Sequence, residues 1–170
     1  MLIPGDELDG GELLVLDDRR RAQMRAFGHD PDRSFDEMLA ADVASLRNIT
    51  KPGHVRIGMH LCRGNHSSHW LSEGGYDRIA EKLVGSLPVD RFLLEYDDER
   101  SGGFEPLRFV PKGTVVVLGL ISSKVAQLED KNAVLDRVDQ AAIVIDTDDL
   151  ALSPQCGFAS IAHGNNLTMD

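Results

Sequence analysis

Four short runs rich in apolar residues recur along this chain and predict β-strands. The run Val115-Val116-Val117-Leu118 does not alternate with polar residues, which is typical of a parallel strand covered on both faces. The other three runs are similarly short, and polar or charged residues lie near their ends. The pattern therefore predicts strands over Val55–Cys62, Phe92–Tyr96, Thr114–Ile121 and Leu150–Ser153.

Helical periodicity occupies the segments before and between these runs. A capping box of Ser34 and Glu37 predicts the start of one helix, and Gly28 and Pro88 are typical residues after the end of two others. Around Phe104–Phe109 the pattern favours only a short crossover. Helices are predicted over Asp17–Phe27, from Ser34 through Leu46, over Tyr76–Leu87 and over Lys131–Ile145.

Strands that alternate with helices predict an α/β fold with a parallel sheet built of βαβ units. No long linker or low-complexity segment divides residues 1–170, so we expect a single domain. The expected architecture is a partial (β/α)8 TIM barrel of about four β/α units, because a full barrel takes about 250 residues. Such a piece would be truncated at both ends. Its unpaired strand edges predict self-association or pairing with a missing N-terminal half.

Composition narrows the classes of partner. The chain carries a net charge of −10 and has neither basic stripes nor basic amphipathic helices. This excludes nucleic acid and membrane surfaces as expected partners. No segment approaches the roughly 20 apolar residues that a membrane span needs, and the first residues lack the basic start of a signal peptide. We expect a cytoplasmic protein in a reducing compartment.

Candidate metal ligands stand at or near the ends of three predicted strands. His60 and Cys62 are two residues apart, so in a strand their side chains project to one face. Glu95 ends the Phe92-Leu93-Leu94-Glu95 run, and Cys156, the other of two cysteines, follows the last strand. Thiolate, imidazole and carboxylate are ligand types that zinc accepts.

Simpler interpretations of the same residues stay open at this level. A single histidine at a strand end is more often a hydrogen-bonded core or rim residue, and a buried cysteine often behaves as a small hydrophobe. A disulfide between Cys62 and Cys156 is a further alternative. His66 and His69 could form a second metal pair, but their polar, serine-rich surroundings favour solvated loop residues.

Four motifs, in this order, resemble the catalytic barrel of cobalamin-independent methionine synthase and its shorter single-barrel relatives. The resemblance begins near Asp17 and continues to the C-terminus. It implies a C-terminal half of that barrel, with one zinc held by His60, Cys62, Glu95 and Cys156. The motifs are His60-Leu61-Cys62-Arg63-Gly64-Asn65, Leu94-Glu95-Tyr96-Asp97-Asp98-Glu99-Arg100, Val117-Leu118-Gly119-Leu120-Ile121-Ser122-Ser123-Lys124 and Ser153-Pro154-Gln155-Cys156-Gly157-Phe158.

The activity that the resemblance implies is methyl transfer to a thiol, converting homocysteine to methionine with a reduced folate as methyl donor. The expected partners are therefore a small-molecule thiol and a methyl donor. Where the family places a histidine implicated in methyl transfer, this chain has Ile121-Ser122-Ser123-Lys124. Two alternatives consequently remain: alkylation of another thiol by an electrophile such as an epoxide, and a zinc-binding fragment without turnover.

Polar residues directly after the candidate ligands are candidates for substrate binding. Arg63, Asn65, Asp97 and Arg100 could hold a substrate carboxylate or amine, or contact the metal ligands from behind. The alternative is a rim of solvated charges and loop-capping side chains.

Overall fold

A four-stranded, all-parallel sheet organises the described part of the chain. The computed structural model describes residues 15–65, 68–157 and 164–167. The strands are β1 (Gly58–Leu61), β2 (Arg91–Glu95), β3 (Val115–Ile121) and β4 (Leu150–Pro154), and they pair in the order β1-β2-β3-β4. The parallel α/β architecture predicted from the alternating pattern is confirmed.

Helices precede the sheet and connect its strands. They are α1 (Asp18–Ala26), α2 (Pro31–Arg47), α3 (Ala80–Ser86) and α4 (Lys131–Ala142), with short 3₁₀ turns at Tyr76–Arg78, Glu99–Ser101, Glu105–Phe109 and Thr147–Asp149. No described helix has both the length and the apolar character to cross a membrane. His66, one member of the histidine pair considered above, lies outside the described residues.

The prediction for the start of α2 is wrong. Asp30 is the N-cap residue, its carboxylate accepts hydrogen bonds from the Asp32 and Arg33 amides, and Pro31 opens the helix. Pro31 suits the first helical position because its missing N–H would have no partner there. Glu37 pairs instead with Arg33 one turn earlier.

Other predicted boundaries shift by a few residues. Strand β1 begins at Gly58 instead of Val55, because the preceding Ile57 pairs with Asp90 through its amide and its carbonyl in the loop before β2. The helix predicted over Tyr76–Leu87 is divided into a 3₁₀ turn and α3.

One face of the sheet carries the core. Side chains of this face, such as Phe92, Leu94 and Leu118, are at most 4% exposed and pack with Leu83 of α3 and Leu107. The opposite face is less covered. Its central row, given by the strand register, is His60, Leu93, Val117 and Ala151, and each of these residues is half-buried or exposed.

The corrected helix start yields a stability prediction. Replacing Asp30 by Ala removes the side-chain acceptor of two amides, so the free energy of unfolding should fall by about 1 kcal/mol. Ser34→Ala should change it by less than about 0.5 kcal/mol. Chemical denaturation of both variants measures the difference. A larger loss of unfolding free energy for Ser34→Ala than for Asp30→Ala would show instead that Ser34 caps the helix.

Candidate metal centre

The carboxyl ends of β1, β2 and β4 bring four side chains together. His60 lies in β1, Cys62 follows its last residue, Glu95 ends β2, and Cys156 comes two residues after β4. One potential ligand atom from each of them lies within 4.8 Å of the others. The structure thus groups all four residues that the sequence singled out as candidate ligands.

Local backbone geometry at the end of β3 lets Cys156 reach this group. The β3–β4 register shifts between Gly119 and Ile121, and an added Cβ at Gly119 would lie 3.0 Å from the Leu94 carbonyl oxygen and 3.5 Å from the Gln155 Cα. Glycine at this position therefore allows the chain after β4 to cross close to β2 and β3.

Side-chain donors then fix the Cys156 backbone. The Asn65 amide donates to the carbonyl oxygens of Cys156 and Gly157, both at 3.1 Å. The Ser123 hydroxyl donates to the Cys156 carbonyl at 2.8 Å. Together these bonds tie the loops after β1 and β3 to the segment that carries Cys156.

The spacing of the four side chains suits one metal ion. Cys62 Sγ and Cys156 Sγ are 3.4 Å apart, and His60 Nε2 is 3.7 Å from Glu95 Oε1. Tetrahedral zinc with Zn–S of about 2.3 Å and Zn–N of about 2.0 Å places its ligand atoms roughly 3.3–3.8 Å apart. Both cysteines are free thiols, so the disulfide alternative is not present in this structure.

The Glu95 carboxylate is oriented by protein groups on one side only. Its side chain is 1% exposed, and Oε2 accepts hydrogen bonds of 3.2 Å from the Arg63 amide and from the Gln155 side chain. Among the described residues, Oε1 has no hydrogen-bond partner although it is buried. A buried oxygen that accepts no hydrogen bond from the described residues and lies 3.7 Å from His60 Nε2 is well placed to bind a metal cation.

The proton distribution of the group follows from its crowding. The hydrogen bond between the two sulfurs lowers the pKa of Cys62 to about 4 and raises the pKa of Cys156. The hydrogen bond with Cys62 raises the pKa of His60, and burial raises the pKa of Glu95. Metal ligation would require both thiols to be deprotonated and the imidazole to be neutral.

The four predicted substrate-binding residues separate into two pairs. Arg63 is 1% exposed, donates a hydrogen bond to the Gly74 carbonyl and stacks over the Tyr76 ring at 4.4 Å. Asn65 donates a hydrogen bond to the Cys156 carbonyl. These two residues are therefore engaged in holding the loops of the site. Asp97 and Arg100 form an ion pair of 2.9 Å and line a cavity of about 380 Å³ next to the centre. Whether any of the four binds substrate stays a prediction.

Sequence reasoning missed two residues that hold Glu95. The Gln155 amide donates to both Glu95 and Asp97, at 3.2 and 2.5 Å. The Tyr76 hydroxyl accepts from the Glu95 amide at 2.9 Å and donates to the Glu95 carbonyl at 3.4 Å. Gln155 is adjacent to Cys156 in the quoted motif, which is a usable signal. Tyr76 looked like an ordinary apolar position of a helix.

Comparisons with known proteins bear on this centre. No family model matches the chain. The uncharacterized protein YxjH of Bacillus subtilis is 46% identical over 159 residues, and the uncharacterized protein YxjG of the same organism is 44% identical over 156 residues. Each alignment covers 91% of this chain and 41% of the relative. The chain therefore spans about two fifths of the length of these relatives.

A solved structure adds a similarity of fold. It comes from a Listeria monocytogenes protein whose assignment as a vitamin-B12 independent methionine synthase is provisional. The two are 37% identical, with a TM-score of 0.51, over 65% of this chain and 30% of that protein. This similarity supports the family resemblance seen in the four sequence motifs over the matched part of the chain.

The support of Glu95 by Tyr76 can be tested through stability. Burial raises the pKa of Tyr76 to about 12, so its hydroxyl stays protonated near neutral pH. Tyr76→Phe would leave the buried Glu95 amide without this partner, and the free energy of unfolding should fall by about 1–3 kcal/mol.

Tyr96→Phe is the matched control. The Tyr96 hydroxyl is buried and has no hydrogen-bond partner among the described residues, so its removal should be neutral or slightly stabilising. Denaturant unfolding of both variants measures the contrast. Equal losses would mean that the Tyr76 hydroxyl does not support Glu95.

Proposed function

We propose that this chain carries the metal centre of a zinc-dependent enzyme that transfers a methyl group to a small thiol. The single observation that carries the proposal is the convergence of His60, Cys62, Glu95 and Cys156 within 4.8 Å. The similarity to the Listeria protein supports homocysteine as the thiol and methionine as the product. A reduced folate is the methyl donor that we propose on the basis of the family resemblance.

The residues present fit zinc. Two sulfurs, one imidazole nitrogen and one carboxylate oxygen match the donor types of a tetrahedral site, and the Cys62–Cys156 and His60–Glu95 distances of 3.4 and 3.7 Å match its spacing. The buried Glu95 Oε1, which has no partner among the described residues, is the atom that a cation would satisfy. When bound, zinc would supply a Lewis acid that keeps a substrate thiol deprotonated and nucleophilic at neutral pH.

Glu95 is the donor best suited to exchange for a substrate sulfur. Its other oxygen is already held by the Arg63 amide and by Gln155, so the carboxylate keeps two hydrogen bonds if Oε1 moves away. Cys62 and Cys156 are fixed more firmly, because the Gly64 amide donates to Cys62 Sγ and two side chains hold the Cys156 carbonyl. The two cysteines would therefore retain the ion.

We also propose that residues 1–170 are part of a β/α barrel whose remaining units lie in a longer chain or in a second one. The sheet face that carries Glu95 is the less covered face, and its row of Leu93, Val117 and Ala151 has the character of a barrel interior. The relatives that match 91% of this chain are more than twice its length.

Zinc binding is the first test. We expect one zinc ion per chain, and at least about 100-fold weaker zinc binding in Cys62→Ser, Cys156→Ser and His60→Asn. The expectation rests on losses of about 10–100-fold when groups behind a ligand are removed, and direct ligands should cost more. Competition with a chromophoric chelator measures the affinities.

His54→Asn is the matched control for His60→Asn. His54 is exposed in the loop before β1 and is not part of the cluster, so its replacement should leave zinc affinity unchanged. Wild-type zinc affinity in either cysteine variant would contradict the proposed metal centre.

Methyl transfer is the second test. The purified 170-residue chain should bind zinc but form little methionine from homocysteine, with any of several methyl donors. Correct placement of two reactants can supply roughly 7–11 kcal/mol of a barrier, and groups from other barrel units would be needed for it. Addition of the remaining part of YxjH, separately or as a fusion, should raise the rate.

Cys156→Ala serves as the zinc-deficient control in this assay. Robust turnover by the 170-residue chain alone, lost in Cys156→Ala, would support the methyl transfer but contradict the need for further barrel units. An epoxide with a small thiol as co-substrate belongs in the same assay, because the chain has Ser122-Ser123-Lys124 where the family places a histidine.

A further inference from the structure

A buried lysine, Lys124, lies beside the metal centre and interacts with the Glu95 carboxylate only at a distance, without a direct ion pair among the described residues. The Lys124 side chain is 4% exposed, and its ammonium donates a hydrogen bond to the neutral Gln155 amide oxygen. Within residues 15–65, 68–157 and 164–167, Lys124 makes no ion pair with an acidic side chain. Buried charges are ordinarily paired, and an ammonium can donate three hydrogen bonds. The Lys124 ammonium can therefore donate further hydrogen bonds to an anion.

Lys124 lines the cavity of about 380 Å³ next to the centre. Trp70, Val125 and Leu128 contribute apolar surface to the same cavity, and each of them is at least 46% exposed. A small molecule that enters here would meet an apolar wall and a buried cation. These surroundings favour a ligand with a hydrocarbon part and an anionic group.

The acidic side chains of the cavity are engaged elsewhere. Asp97 and Asp98 both pair with Arg100, which also stacks over Trp70 at 4.5 Å. Glu129 accepts the Ser122 amide at 2.6 Å. The fourth acidic residue of the lining, Asp130, is the N-cap of α4. Asp97 and Asp98 thus neutralise Arg100, whereas Lys124 has no direct carboxylate contact among the described residues and interacts with Glu95 only at longer range.

Gln155 connects Lys124 with the metal centre. Its amide oxygen accepts from Lys124, and its amide nitrogen donates to Glu95 Oε2 at 3.2 Å. Two hydrogen bonds and one amide group thus separate the ammonium from the Glu95 carboxylate, a span of at most roughly 8 Å. This reach matches a short thiol with a carboxylate three or four bonds from its sulfur.

We propose that Lys124 binds the carboxylate of the thiol substrate and thereby selects carboxylate-bearing thiols for the metal centre. The proposal rests on the proposed function, because it assumes that a thiol sulfur occupies the position from which Glu95 withdraws. Lys124 is then a residue for substrate specificity. Lys124 lies in the segment in which this chain differs from the family motif, so carboxylate binding would give that difference a chemical role.

Isothermal titration calorimetry of the zinc-loaded chain tests this assignment with two thiols. L-Homocysteine and 3-aminopropane-1-thiol differ only in the carboxylate. Wild-type protein should bind L-homocysteine at least about tenfold more tightly, since a hydrogen bond to a charged group is worth about that much. In Lys124→Met the difference should fall below about twofold, and Lys124→Arg should restore part of it.

Lys112→Met is the matched control, because Lys112 is exposed in the loop before β3, away from the residues that line the cavity. It should preserve the wild-type preference. Zinc content and thermal unfolding are measured for each variant, so that a folding defect in Lys124→Met is recognised. The comparison of the two thiols on wild-type protein needs no variant.

The outcomes separate this inference from the proposed function. Equal binding of both thiols by wild-type protein, or an unchanged preference in Lys124→Met, overturns the role of Lys124 while zinc-dependent thiol binding survives. Failure of both thiols to bind the zinc-loaded wild-type chain overturns the proposed function and this inference together. A carboxylate preference that is lost only in Lys124→Met supports both.

Discussion

The burial of the Glu95 carboxylate is the constraint on which the rest of the site depends. A buried anion is costly unless it is paired or hydrogen-bonded. The Arg63 amide and Gln155 satisfy one oxygen, and Tyr76 holds the backbone behind it, but the other oxygen faces His60 without a described partner. The same geometry that makes Glu95 unfavourable by itself makes it a suitable ligand for a cation.

The parallel sheet determines where this chemistry can occur. Parallel strands end at one edge, so residues at the ends of β1, β2 and β4 approach each other although they are far apart in sequence. The cavity lined by Asp97, Arg100 and Lys124 lies at the same edge, after β2 and β3. The candidate metal centre and the neighbouring cavity therefore follow from one architectural feature.

Elements with strong local signals were predictable from the sequence. The valine-rich β3 and the periodic α4 lie close to their expected ranges. Boundaries were less predictable because tertiary contacts compete with local signals. At the start of α2, the Asp30-Pro31 pair displaces the Ser34 capping box, and before β1 the side chain of Asp90 engages Ile57.

The sequence by itself determined which residue types could form a site: two cysteines, a histidine and a glutamate, at or near the ends of predicted strands. Only the tertiary structure decided that Cys62 and Cys156, 94 positions apart, have sulfurs 3.4 Å from each other. It also decided that Gln155 bridges Glu95 and Lys124. The reason is that periodicity reports which face a residue occupies, whereas contacts between distant loops depend on strand register and on the close chain crossing that Gly119 permits.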